Sequence, residues 1–254
     1  MQKSRISAVI VAHNEEKKLE NCLKSLDFCE EIIVILDKCT DKTKEIALKY
    51  SNKIIEGSWK IEGVRRNIAI NSATKDWILE IDADERISKE LADEILREIQ
   101  GVKDCGFAIP IANYIGKRYV KYGWLRTLCV LKRQTLTYKG LKKYDEDKEV
   151  HPTFDTNFLV INLKNPIIHL VDEDMSDLIA RFNRYTSWKA NDMIFKNEIE
   201  GGALHLIFSA KLRFIKSYFV KKGFKEGLLG FFIAFLSALY PIISYAKARE
   251  KIKK

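Results

Sequence analysis

Hydrophobic and polar positions alternate between two regimes along the first hundred residues. Ile6 to Ala12 is a β-rich apolar run that breaks at His13 into a polar turn, and a helical pattern follows with Leu19, Cys22, Leu23 and Leu26 on one face. The theme recurs. "EEIIVIL" reads as a buried strand, and "CTDKTKEIALKY" as a helix that Thr40 or Asp41 can cap. "NKIIEG" reads as a short strand, and "GVRRNIAINSA" as a helix with Val64, Ile68 and Asn71 on successive turns. "WILEID" is the next strand, and "SKELADEILREIQ" a helix with Ser88 at its N-cap. Strands alternating with helices of this length predict an α/β fold whose parallel sheet is covered on both faces.

After about residue 105 the runs shorten to "CGFAIPIANYI", "TLCVLKR" and "NFLVINLKNPIIHL", which predict mixed or antiparallel strands completing the same domain. From Met175 onward the pattern is helical. The expected organisation is a domain over residues 1–174 and a helical region over 175–254.

In such sheets a ligand lies outside the carboxyl ends of the strands. Those ends deliver His13, Asn14 and Glu15, then Asp37, then Asp82 and Asp84. In "WILEIDADER" the two acids stand two apart, which on a continuing strand puts both carboxylates on one side. Paired hard oxygen ligands suit Mg²⁺ or Mn²⁺ held against a phosphate. A solvated turn, with Asp84 and Glu85 capping the next helix, is the plainer reading of the motif alone.

The 46% hydrophobic content of this 254-residue chain supports a real core, and the net charge of +9 changes the picture only through its placement. From Lys211 to Lys254 eleven Lys and Arg face Glu226 and Glu250, which leaves the preceding residues neutral overall. A basic tail around an apolar run points to an anionic membrane surface and away from nucleic acid. Gly227 to Ala246 carries no charge. It reads as an interfacial helix or helical hairpin, a transmembrane span, or a buried or dimer helix; Pro241, Tyr240 and Tyr245 favour interface depth. Five cysteines without a CxxC pair indicate neither a disulfide framework nor a zinc site, and fit a reduced, cytoplasmic compartment. No secretory leader is expected, because the strand pattern starts within a few residues of Met1.

The strings "VIVAHNEEKKLENCLKSL", "EEIIVILDKCTDKTKEIA", "GVRRNIAINSATKDWILEIDADERIS", "NRYTS" and "KKGF" together resemble the family 2 glycosyltransferases of GT-A fold, most closely the branch with lipopolysaccharide-core β-glucosyltransferases. The resemblance implies a Rossmann-like GT-A sheet, mixed but mostly parallel, and a C-terminal membrane-associating region. It implies that Asn14, Glu15 and Asp37 hold the nucleotide, that Arg66 lies near the diphosphate, that Asp82 contacts the ribose or nucleotide, and that Asp84 holds the metal. The family's Asp-Ser-x-Ser-x-Asp-x-Thr is matched here at Thr40, Asp41 and Thr43, while Lys38 and Cys39 depart from it; Asp41 reads first as a helix N-terminal acid.

Trp124, His151 and His169 match family landmarks, His169 more as a structural or acceptor-site group than as a base. The implied reaction is inverting transfer of a hexose from a nucleotide sugar, UDP-linked first, to a lipid-linked glycan such as a lipopolysaccharide core. The enzyme would lie peripheral or monotopic on the inner face of the cell membrane. The base is where the sequence departs: relatives often carry "VHE" where this chain has "EVHP", so Pro152 stands at the expected acid. Glu149 is the replacement expected, being two residues before His151 on an extended segment, with Asp147 next and Asp145 and Glu146 nearby. The alternatives are a nucleotidyltransferase, which would need a Gly-rich phosphate loop that "VAHNEEKK" lacks, and a membrane-bound nucleotide-sugar binding or scaffold protein without a base.

Overall fold

A computed structural model describes residues 5–51, 53–125, 128–129, 132–146, 153–154, 157–196 and 203–253. The chain divides into two compact units, Met1–Ile111 with Lys132–His169, and Ala112–Leu131 with Leu170–Lys254.

In the first unit, β1 (Ile6–Ala12), α1 (Leu19–Lys24), β2 (Glu31–Asp37), α2 (Thr43–Tyr50), β3 (Lys53–Gly57), α3 (Glu62–Ser72) and β4 (Trp77–Asp82) follow in order. A two-residue β5 (Glu85–Arg86) and α4 (Lys89–Glu98) come next. β1 pairs in parallel with β2 on one side and β4 on the other, and β2 pairs in parallel with β3. Alternate residues of these strands serve opposite faces, as strand geometry requires. Ile6, Ala8 and Ile10 pack with Leu19, Leu23 and Leu91 of α1 and α4, while Val9, Ile33 and Ile35 pack with Ala69 and Ile70 of α3. Both faces are therefore covered.

The sheet then turns mixed. β6 (Cys105–Ile115) begins in this unit, and the two-residue β7 (Arg118–Tyr119) belongs to the second. β8 (Lys132–Tyr138) pairs antiparallel with both β4 and β6, and β9 (Leu159–Asn162) pairs in parallel with β6. β10 (Ile167–Asp172) pairs antiparallel with β5 through Ile168 and His169.

Two expectations change in detail. Of the run "TLCVLKR", Lys132 and Arg133 belong to β8, Leu128 and Cys129 fill the second unit's core instead, and Thr127, Val130 and Leu131 lie outside the described residues. On α3 the fully buried residues are Gly63, Asn67, Ala69 and Ile70, while Val64 and Ile68 are half-buried and Asn71 is exposed. A polar residue can stand among the buried ones because the Tyr144 backbone satisfies it: Asn67 Nδ2 donates to Tyr144 O at 2.9 Å, and Tyr144 N donates to Asn67 Oδ1 at 2.8 Å. Ser88 caps α4 as expected, its Oγ accepting from Leu91 N.

The second unit holds α5 (Met175–Phe195), α6 (Ala203–Ile215) and α7 (Gly227–Lys253), with a π-helical stretch at Lys216–Val220 and a 3-10 turn at Gly223–Glu226 between the last two. Trp124, Leu178, Phe182 and Ile233 form its core, and Trp124 Nε1 donates to Val120 O at 2.7 Å. Glu226 anchors the α6–α7 connection: its carboxylate accepts from Arg118 Nη2 and from the backbone N–H of Lys121 and Tyr122 at 2.9–3.1 Å. Asp172 and Arg181 form a bidentate pair at 2.8 Å between β10 and α5.

Candidate functional site

The carboxyl ends of β1, β2 and β4 lie along one edge of the first unit, so the loops that follow them share a neighbourhood. After β1 the chain turns sharply at Asn14, whose backbone is left-handed (φ 55°), a conformation asparagine tolerates better than most residues. That turn is zipped to the loop after β2. Asn14 Oδ1 accepts from Thr40 N at 2.8 Å, Glu15 N donates to Thr43 Oγ1 at 2.7 Å, and Glu16 N donates to Asp41 Oδ2 at 3.1 Å. Asp41 Oδ1 also accepts from Thr43 N at 3.0 Å, so Asp41 serves both as the acid at the start of α2 and as a tie between loops. Asn14, Glu15, Glu16, Lys17, Lys18 and Asp41 line a shallow cleft.

Asp37 ends β2 and is almost wholly buried, at 3% exposure. One carboxylate oxygen accepts from Trp59 N at 3.1 Å, and the other pairs with Arg65. His13 Nδ1 donates to the Asp37 carbonyl at 2.6 Å. The partner of Asp37 is thus Arg65, a residue the "GxxRN" reading passed over in favour of its neighbour.

Arg66 faces a different group. Its Nε donates to Glu62 at 2.8 Å, its Nη1 lies 3.9 Å from Asp82 and 4.0 Å from Glu80, and its guanidinium stacks over the Tyr144 ring.

The "DAD" turn is where the strand argument fails in detail. β4 ends at Asp82, and Ala83 and Asp84 form a turn before β5, so the two-apart rule for a strand does not reach Asp84. Each acid has its own partner. Asp82 pairs with Arg133 of β8, which also pairs with Glu85. Burial alone would raise the Asp82 carboxyl, but Arg133 and then Arg66 hold it well below the usual carboxylate range. Burial pushes the Glu85 carboxyl up, against the opposing charge of Arg133. Glu85 does not cap α4; it sits on β5 and accepts from Asp82 N at 2.9 Å. Arg86 staples the turn, donating to the carbonyls of Ala83, Glu85 and Lys18 at 2.6–2.8 Å.

Asp84 lies beside His169, with Oδ2 and Nε2 3.5 Å apart. The pairing of β10 with β5 creates this juxtaposition, placing His169 opposite Glu85 in register. The sequence alone marks His169 as a structural or acceptor-site group and gives no sign of Asp84 beside it. The carboxyl of Glu15 is raised, first by burial and then by the negative charge of Asp84. Asp84, Asp41 and Asp82 lie near enough to Glu15 to act on its charge, with Lys18 and Arg86 among them and His169 beside Asp84. An oxygen and a nitrogen donor side by side, both partly exposed, fit a divalent ion that takes one or two protein ligands and completes its shell with phosphate and water. Among the described residues no group of three or more His, Cys, Asp or Glu comes together as a metal cage.

Of the acids considered for the base, Glu149 and Asp147 lie outside the described residues, as do His151 and Pro152. Asp145 is tied to Thr153, and Glu146 accepts from Asn67 Nδ2 at 2.8 Å. The segment carrying them is pinned from below by Glu80 of β4. Its buried carboxylate pairs with Lys142 and accepts from the Tyr144 hydroxyl at 2.8 Å. Burial lowers the Lys142 ammonium, opposed by Glu80, and the Phe154 ring packs against it at 4.1 Å. Neither Glu80 nor Lys142 stood out in the sequence, because an isolated acid inside an apolar strand has no spacing signature.

Residues 7–161 match the family model "Glycosyl transferase family 2". The lipopolysaccharide core biosynthesis glycosyltransferase LpsC of Rhizobium meliloti is 27% identical, over 97% of this chain and 92% of its own. An uncharacterized glycosyltransferase of Rickettsia bellii is 26% identical, over 97% of this chain and 86% of its own. Among solved structures, S. aureus TarS in complex with UDP-GlcNAc superposes over 97% of this chain and 89% of that one, with a TM-score of 0.52 and 18% identity, a likeness of fold. The fold expected from the resemblance is the one observed: a GT-A sheet, mixed and mostly parallel, followed by an apolar C-terminal helix. The chain belongs to glycosyl transferase family 2.

Proposed function

We propose that this transferase moves a hexose from a nucleotide-diphosphate sugar, a UDP-sugar first, to a lipid-linked glycan such as a lipopolysaccharide core, with inversion at the anomeric carbon. The observation that carries the reading is that Asn14 and Glu15 follow β1, Asp37 ends β2, and Asp82 and Asp84 stand at the end of β4 and in the turn after it, all at the carboxyl edge of the parallel strands. The family membership, the full-length likeness to LpsC and the fold shared with a UDP-GlcNAc complex support it. In this reading residues 1–174 are the catalytic domain and 175–254 the membrane-associating region, working on the cytoplasmic face.

Asn14, Glu15 and Asp37 hold the nucleotide, and the Arg65 pairing fixes the Asp37 carboxylate as an acceptor. Asp82 orients the ribose from its Arg133 clamp, and Arg66 meets the diphosphate. Asp84, with His169 beside it, would hold Mg²⁺ or Mn²⁺. Such an ion, when bound, neutralises charge developing on the departing diphosphate. The acceptor hydroxyl oxygen forms its bond to the anomeric carbon as the bond from that carbon to the diphosphate breaks. The hydroxyl proton passes to a carboxylate, Glu149 in this reading and Asp147 next. Pro152, at the position of the expected acid, favours one second reading: a membrane-bound nucleotide-sugar binding protein without a base.

Thermal-shift titration of the full chain with UDP-, GDP-, CMP- and dTDP-sugars, with and without Mn²⁺, tests the donor assignment. A metal-dependent rise with UDP-sugars supports it; no response to any nucleotide sugar contradicts it. Slow donor hydrolysis alongside binding separates the enzyme from the scaffold.

A further inference from the structure

The first half of α7 is apolar on its outward side as well as on its packed side. On the first half of α7 the fully buried residues are Gly230, Ile233, Ala234 and Ser237, with Leu229 and Leu236 half-buried against the same core. The opposite side carries Leu228, Phe231, Phe232 and Phe235, spaced i, i+3, i+4, i+7 and all exposed. Close backbone approach explains the glycine: a Cβ on Gly230 would lie 1.8 Å from the Gly223 carbonyl oxygen. A small residue at the close approach with large apolar ones outside is a pattern of helices that pack in lipid.

The outward side of α6 continues it. Phe208, Leu212 and Ile215 are exposed, and the π-helical stretch that follows presents Phe219 and Val220, 57% and 65% exposed. Lys211, Lys216, Lys221, Lys222 and Lys225 surround this face and are exposed with it.

α7 is long and apolar enough to cross a bilayer. Its second half is otherwise engaged. Lys247 Nζ donates to Asn183, Thr186 and Ser187, and Lys251 Nζ to Asn191, at 2.6–2.9 Å, all on α5. α5 carries Asp177, Arg184, Lys189 and Asp192, so it cannot enter hydrocarbon beside α7.

We propose that the outward faces of α6 and the first half of α7, with the turn between them, form a monotopic docking surface for an anionic lipid leaflet, and that α7 does not span. The inference deepens the membrane-face reading above and rests on it. The aromatic face supplies burial at the headgroup boundary, and the lysine rim supplies attraction to anionic headgroups.

The test is co-sedimentation of the full chain with preformed vesicles of phosphatidylcholine alone or mixed with phosphatidylglycerol, with UDP binding measured on each variant. The expected results are preference for the mixed vesicles, a loss of about tenfold or more in F219S/L228S, and loss of the lipid preference in K221E/K222E. I252S, exposed at the far end of α7, is expected to bind as the parent does. All variants should bind UDP unchanged. Parent-like binding by F219S/L228S, or an equal loss in I252S, overturns the docking surface while leaving the membrane-face reading in place. No vesicle binding by the parent overturns both. Vesicle binding without UDP binding by the parent overturns the donor assignment and not the surface.

Discussion

His169 Nε2 stands 3.5 Å from Asp84 Oδ2, brought there by the pairing of β10 with β5. If this pair is the protein's share of a metal site, D84N abolishes the Mn²⁺ dependence of UDP binding and H169A weakens it by about tenfold, as loss of one ligand of an open site would. Both groups are partly exposed, so metal-free stability should stay within about 0.5 kcal/mol of the parent. Calorimetric titration of UDP with and without Mn²⁺ measures the first effect, and chemical denaturation the second. Unchanged Mn²⁺ dependence in D84N removes Asp84 from the assignment.

Arg133 neutralises both Asp82 and the buried Glu85. R133M takes from Asp82 the cation that holds its carboxylate ionised, leaves the already raised Glu85 carboxyl to protonate, and should lower stability at pH 7. The sign of the pH dependence follows from Asp82, whose carboxyl Arg133 holds below its ordinary value. A depressed acid contributes stability above its unfolded pKa, about 3.9, and loses it as pH falls through the lower folded value. The stability gap between parent and R133M should therefore be full at neutral pH and narrow below about pH 4. Urea unfolding across that range reads it; a gap that widens on acidification contradicts the pairing.

Asp37 is an acceptor fixed by Arg65 and the Trp59 N–H. R65M strands a nearly buried carboxylate and should lower stability by about 3 kcal/mol and weaken UDP binding together. R66M should spare the Asp37 pairing and weaken donor binding with a smaller stability loss. Denaturation and titration of the two variants side by side distinguish them; equal effects would dissolve the distinction between the adjacent arginines.

E149Q is expected to leave donor binding intact and cut transfer by about a hundredfold, with D147N the next candidate. Single-turnover transfer to a lipid-linked acceptor reads the chemical step. If neither Glu149, Asp147, Asp145 nor Glu146 slows it when replaced by its amide, the base lies elsewhere.

The alternation of apolar runs and helical patterns made the parallel half of the sheet legible, because β1, β2 and β4 are buried on both faces and α1 and α4 each have one apolar side. Ser88 was legible as a cap because the chemistry is local. The buried side of α3 was not, since Asn67 depends on a backbone segment seventy-seven residues away. The acids at the strand ends were legible as a set, but their partners were not. Arg65, Arg133 and His169 reach them through tertiary pairings that leave no short-range spacing. The inward small residues of α7 could have been found: Gly230, Ala234 and Ser237 recur at helical spacing inside an uncharged run.

The most direct test of the central claim is release of UDP from a UDP-hexose by the purified full chain, followed with Mn²⁺, with EDTA and in the D84N variant. The account predicts slow metal-dependent release, quickened by a lipid-linked glycan acceptor, stopped by EDTA and absent in D84N. Release that proceeds equally in EDTA and in D84N would contradict it.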